Sequence, residues 1–124
     1  MPATCFIFFR PGQATLSDAA QALHELGLEV DAQADCIEVS DTDSPTFRIY
    51  WETAAHVLAE AREIARHTAY GDAMAQCTER FAIQIEDLDD ALDEVNTLME
   101  IQATLQNISE GYLYLPWNES LLAP

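Results

Sequence analysis

The sequence predicts an α+β fold, a two-layer α/β sandwich in which three helices cover a mixed sheet of about five to six strands in the order β-α-β-β-β-α-β-α-β. Two observations carry this. Short apolar or alternating runs of strand length recur between Gly, Pro and Asp punctuation, and three longer segments repeat apolar residues at helical spacing. Each of those segments has one apolar side, which needs a sheet to cover it. With 124 residues and 49% hydrophobic content, the chain is expected to form a single domain, residues 1–124, around one sizeable core.

Cys5 to Phe9 is a continuous apolar run closed by Arg10-Pro11-Gly12, the pattern of a strand buried on both faces. Thr15 and Asp18 have capping-box spacing ahead of Leu16, Ala19, Ala20, Leu23 and Leu26, and Gly27 is placed to end that helix. Leu28, Val30 and Ala32 alternate as a strand, Cys36 to Ser40 gives another, and Asp41 to Pro45 is a loop. Phe47, Ile49 and Trp51 alternate before a helix with a stripe of Ala54, Val57, Leu58, Ala61, Ile64 and Ala65, stopped at Gly71. If the strands beside the Asp41 loop count as one interrupted element, this opening portion has the order of a ferredoxin-like βαββαβ unit, a likeness without functional content.

The second half reads as a further strand and helix. Phe81, Ile83, Glu86, Leu92 and Glu94 match Phe47, Ile49, Glu52, Leu58 and Glu60 at a constant offset of 34, as a duplicated unit would, although any two strand-helix units share such a pattern. The third helix, starting near Asp87, sets Leu88, Leu92, Val95, Leu98, Met99, Leu105 and Ile108 toward the sheet. Gly111 follows it, Tyr112 to Leu115 is the last strand, and Pro116-Trp117-Asn118 closes the ordered part.

Charge is the strongest functional signal. Twenty-two acids stand against five Arg and no Lys, for a formal net charge of -17. Residues 1–47 carry a net -7, residues 48–80 only -1, and residues 81–124 a net -9 with no base at all. Six acids fall between Glu86 and Glu94, more than a helix start needs to satisfy its free N–H groups and dipole. Such a surface repels nucleic acid and anionic lipid and attracts a cationic protein, so no nucleic-acid or membrane partner is expected.

Chemical motifs are thin. Asp89-Asp90-Ala91-Leu92-Asp93 spells the DDxxD of prenyl diphosphate synthases, but those are large helical enzymes with a second metal-binding motif, and acid-rich composition makes such matches cheap. His56, Glu60, Glu63 and His67 share a helix side and read as a solvated face, with Glu63 near Arg66 and His67. Asp41-x-Asp43 lacks the Gly and distal Glu of a calcium loop. Cys5, Cys36 and Cys77 have no zinc spacing, and the N-terminus has no signal-peptide pattern, so a cytoplasmic protein with reduced thiols is expected. No cofactor, metal or catalytic residue is assigned.

Size, charge, the Glu86 to Glu94 cluster, the lack of export signals and the ending Gly111-Tyr112-Leu113-Tyr114-Leu115-Pro116-Trp117-Asn118 together resemble the small acidic immunity proteins that bacteria pair with secreted polymorphic toxins. The resemblance implies a non-enzymatic inhibitor that occludes a basic protein partner, such as a cognate toxin. The expected contact is Glu86, Asp87, Asp89, Asp90, Asp93 and Glu94, with Tyr112, Tyr114 and Trp117 as anchors. Asp31, Asp35, Asp41 and Asp43 are the alternative contact. An acidic adaptor unrelated to toxins, a small enzyme, a homo-oligomer, and acidity inherited from a salt-adapted or GC-rich source all remain open at this stage.

Overall fold

The computed structural model describes residues 2–42 and 44–124, so Asp43 lies outside the described residues. Its elements are β1 (Ala3–Phe9), α1 (Leu16–Glu25), β2 (Glu29–Ala32), β3 (Ile37–Ser40), β4 (Phe47–Glu52), α2 (Ala55–Ala65), α3 (Gly71–Met74), β5 (Glu79–Ile85), α4 (Leu88–Asp93), α5 (Val95–Ser109), β6 (Tyr112–Leu115) and β7 (Ser120–Leu122). The α+β class holds. Among the described residues there are seven strands and five helices where five to six and three were expected, and the sheet is not mixed. Its order is β2-β3-β4-β5-β1-β6-β7, with every neighbouring pair antiparallel.

The chain path explains why no adjacent pair is parallel. A single helix after β4 would carry the chain along the sheet and start the next strand at the far end. Instead α2 and then the short α3 go out and come back, so β5 starts where β4 ended and runs against it. The crossover through α4 and α5 does join parallel strands, β5 and β6, but β1 is inserted between them. The ferredoxin-like order fails because β2 and β3 pair with each other as a hairpin rather than forming one interrupted strand.

The sandwich is not two-layered either. Cys5, Ile7 and Phe9 of β1 point to a core shared with Leu23 of α1, Ile49, Ile83, and Leu98, Ile101 and Leu105 of α5. Phe8 points the other way, into a second cluster with Val57, Ala61, Ala65, Met74 and Cys77 beneath α2 and α3. The apolar run in β1 is therefore buried on both faces, and each face needs its own helical cover. This arrangement also argues against duplication, since the helices following β4 and β5 lie on opposite faces.

Local chemistry sets the helix ends. The Thr15 and Asp18 capping box forms in both directions, and Gly27 takes a φ of 89° after α1. The second helix stops at Ala65, earlier than expected, and Gly71 opens α3 instead of ending α2. At the end of α5 it is Glu110 that adopts the left-handed conformation, with a φ of 52°. Gly111 is required for space: a Cβ there would stand 2.5 Å from Ile7 Cγ2 and 3.0 Å from the Phe8 carbonyl oxygen.

The third expected helix is broken at Glu94, whose φ and ψ of -111° and 49° leave the helical region. Asp89 with Asp93 and Asp90 with Glu94 are like-charge pairs at i, i+4, which weaken a continuous helix through that turn. The buried side keeps seven-residue spacing across the break, from Ala91 to Leu98 to Leu105, and the expected residues Leu92, Val95 and Met99 lie on the adjacent side. Ala91, Leu98, Ile101, Gln102 and Leu105 are buried, whereas Leu92, Val95 and Met99 are 45%, 40% and 57% exposed. The expectation that Leu92, Val95 and Met99 are core is thus overturned.

Chemical denaturation should register this phase directly. Leu98→Ala and Ile101→Ala are expected to cost about 2 to 5 kcal/mol each, against less than about 0.5 kcal/mol for Leu92→Ala. Gly111→Ala should lose about 1 to 3 kcal/mol, because the added methyl group meets backbone and the branched end of Ile7.

Candidate interaction surface: an acidic end of the sheet

Antiparallel pairing brings particular chain segments to the same end. Ala3 lies opposite Ile85, Ile85 opposite Phe47, Phe47 opposite Val39, and Ser40 opposite Glu29. The start of β1, the start of β2, the loop after β3, the exit of β5 into α4 and the turn between β6 and β7 therefore share one end of the sheet. That end collects Glu29, Asp41, Glu86, Asp87, Asp89, Asp90, Asp93, Glu94 and Glu119, and all of them but the half-buried Asp87 are exposed. The sequence separates Asp41 from Glu86 by two strands and two helices. The sheet register reunites them.

Asp87 is the local organiser of this surface. Its side chain caps α4 by accepting from the backbone N–H of Asp89 at 3.0 Å and of Asp90 at 3.3 Å. The N–H of Asp90, reinforced by that of Asp89, holds the Asp87 carboxyl below the usual carboxylate range. Asp89, Asp90, Asp93 and Glu94 have no ion-pair partner among the described residues. Arg48 stands near this end, lining a hollow with Glu86, and is paired with Glu38; Arg10 with Glu110, Arg66 with Glu63, and Arg80 with Glu52 and Glu60 are engaged elsewhere.

The remaining expected contact residues divide. Trp117, in the turn after β6, is half-buried against the first core cluster and belongs to the acidic end. Tyr112 and Tyr114 belong to the opposite face: both pack on the second cluster, and the Tyr112 ring lies 5.5 Å from that of Tyr70. They are not brought together with the acids. Of the alternative set, Asp41 joins the acidic end, Asp31 sits on the exposed edge strand β2, and Asp35 lies at the far end in the turn between β2 and β3. Asp43 lies outside the described residues.

A buried charge cluster escapes the sequence reading. Arg80 is 5% exposed, donates through Nε to Glu52, and lies with Nη1 3.1 Å from Glu60 and Nη2 3.3 Å from His56 Nε2. Its guanidinium carbon stands 4.2 Å from the centroid of the Phe6 ring. His56 and Glu60 reach this buried cation from an exposed helix face, with side chains 56% and 47% exposed, and the Glu63 and Arg66 pair forms at 3.4 Å on the same solvated side of the chain. His67 falls beyond the helix, with a φ of 65°. The available signal was Arg80 standing directly before the apolar Phe81 to Ile83, where a strand cation must find carboxylates across the sheet.

Two cysteines are held as thiols. Burial pushes Cys5 up to about 11, with Gln102 Nε2 3.6 Å from its sulfur, and likewise pushes Cys77 up to about 11. No group of metal-ligating side chains is gathered among the described residues, and no helix among them is long and apolar enough to cross a membrane. The broadest hollow lies between α1 and α5, lined by Ala22, Leu26, Thr104 and Ile108 with Glu25 and Glu110 at its margin. Comparison with protein-family models, with curated proteins and with solved structures finds no match to this chain.

Two substitutions separate the cap from the buried cation. Asp87→Ala should lower the melting temperature at neutral pH. Because the folded carboxyl titrates below its unfolded value, its stabilisation is present above about pH 4 and is lost as pH falls through the folded value, so parent and variant should converge in acid. Arg80→Leu should cost about 1 to 3 kcal/mol by stranding Glu52 and Glu60, whereas Arg66→Ala on the exposed helix side should change stability by less than about 0.5 kcal/mol.

Proposed function

We propose that this chain is a non-enzymatic binding protein that neutralises a basic protein partner, in the way an immunity protein occludes a toxin, and that the acidic end of its sheet is the contact. The observation that carries the reading is the convergence of nine acids from four separate chain segments on one end, where Arg48 is already paired with Glu38 while Arg10, Arg66 and Arg80 are committed elsewhere. A compositional bias alone spreads charge over a whole surface. Here residues 48–80 are nearly balanced, and nine of the twenty-two acids stand at one end of the sheet.

Concentrated acidic charge accelerates encounter with a cationic surface, then pairs with its Lys and Arg side chains. A basic groove that binds phosphates in a nuclease is the kind of surface such acids would fill. The three free, buried cysteines fit a reducing cytoplasm as the working compartment.

The test is binding kinetics with the partner co-purified from the native host at two salt concentrations. Replacing Asp89, Asp90 and Asp93 by Asn and Glu94 by Gln together should slow association about tenfold or more at low salt and flatten the salt dependence. The fold should be retained, since relief of repulsion offsets the lost dipole interaction. An unchanged association rate would remove this end from the interface.

A further inference from the structure

Leu92, Val95 and Met99 form an exposed apolar strip whose charge surroundings restrict what can cover it. Leu92 lies near the end of α4, and Val95 and Met99 are one turn apart on α5. Gln106, two turns beyond Met99 on the same side, donates to the carbonyl oxygens of Gly111 at 3.2 Å and Leu122 at 3.1 Å. Gln106 thus ties α5 to β7, and it also lines the hollow between α1 and α5. The turn holding Trp117 and Glu119 flanks α5 at the acidic end.

Exposed acids stand next to the strip in sequence: Asp89 one turn before Leu92, Asp93 and Glu94 between Leu92 and Val95, and Glu100 after Met99. A second copy of this chain docking strip to strip would oppose these carboxylates to their own images. An anionic lipid surface or a nucleic acid meets the same repulsion. A partner with an apolar ridge between rows of Lys or Arg answers both the strip and its border. The ridge of an amphipathic helix has the width of one such strip, and Met adapts to varied apolar shapes.

We infer that the α4–α5 shoulder is a docking groove for a cationic amphipathic helix, whose apolar ridge covers Leu92, Val95 and Met99 while its flanking bases pair with the bordering acids. This rests on the proposed binding of a basic partner and deepens it: the acids set encounter, and the strip sets lifetime.

The experiment uses the full chain and two synthetic 18-residue helices of equal positive charge, one with a Leu ridge between its Lys rows and one with the ridge replaced by Ser. At about 0.15 M salt the Leu-ridge peptide should bind at least about tenfold more tightly. The double substitution Val95→Ser with Met99→Gln should erase that gap while leaving the weaker Ser-ridge binding unchanged, and circular dichroism should confirm an intact fold. The acid-to-amide variant should weaken both peptides together. Equal binding of the two peptides, or a gap that survives the double substitution, would overturn the docking groove while leaving the acidic contact standing. Failure of both peptides to bind even at low salt would overturn the groove and count against the acidic contact too.

Discussion

The two-sided burial of β1 is the constraint from which the remaining layout follows. Phe8 on one face and Ile7 and Phe9 on the other are fully buried, so neither face of the central strand can be left to water. Two helical layers are needed, and the chain provides them with α1, α4 and α5 on one side and α2 with α3 on the other. Once both faces are occupied, charge that the core cannot accept goes to the strand ends, the edges and the outer sides of helices. Antiparallel pairing then decides which ends meet. The collection of acids beside α4 is a consequence of register as much as of composition.

The five arginines show how the fold tolerates so little positive charge. Arg80 is the most deeply placed, stacked over Phe6 and held by Glu52 and Glu60, and it secures the β4 and β5 pair beneath α2. Arg10 and Arg48 pair at exposed or half-exposed sites where each pair contributes little to stability. Arg10 and Arg80 thus lie away from the tip of α4, and Arg48, which shares a hollow with Glu86 just before it, is taken up by Glu38. Mutual repulsion at that tip is left in place, and the broken turn at Glu94 is its local structural expression.

Elements with private local signals were legible in the sequence: the apolar run of β1, the capping box and Gly27 of α1, the alternation of β3 and the opening of β4, and the acidic cap of α4. What was not legible depended on partners distant in the chain. The three residues of β7 carry no periodicity and form a strand because β6 offers an open edge. The four-residue α3 is too short for a stripe, yet it reverses the chain and so makes the sheet antiparallel throughout. Helical spacing from Leu88 to Ile108 marks a helix but not the full extent of its covered side: Leu88, Leu98, Leu105 and Ile108 pack on the core, and Ala91, Ile101 and Gln102 rather than Leu92, Val95 and Met99 complete it. For the same reason Tyr112 and Tyr114 could not be assigned to a face: alternation says that they point together, and only the layer beneath α2 says where.

The mistaken side is also the informative one. Ala91, Leu98, Ile101 and Leu105 fill the buried side, which leaves Leu92, Val95 and Met99 uncovered beside the acids of the α4 tip, so the free protein carries two uncompensated features in one place, like-charge repulsion and uncovered hydrocarbon. A purely ionic partner relieves the first and a purely apolar one the second. A surface that is both cationic and ridged relieves them together. On the proposed binding role, that coincidence makes strip and acids one recognition surface, with its specificity in residues that helical periodicity assigns to the core.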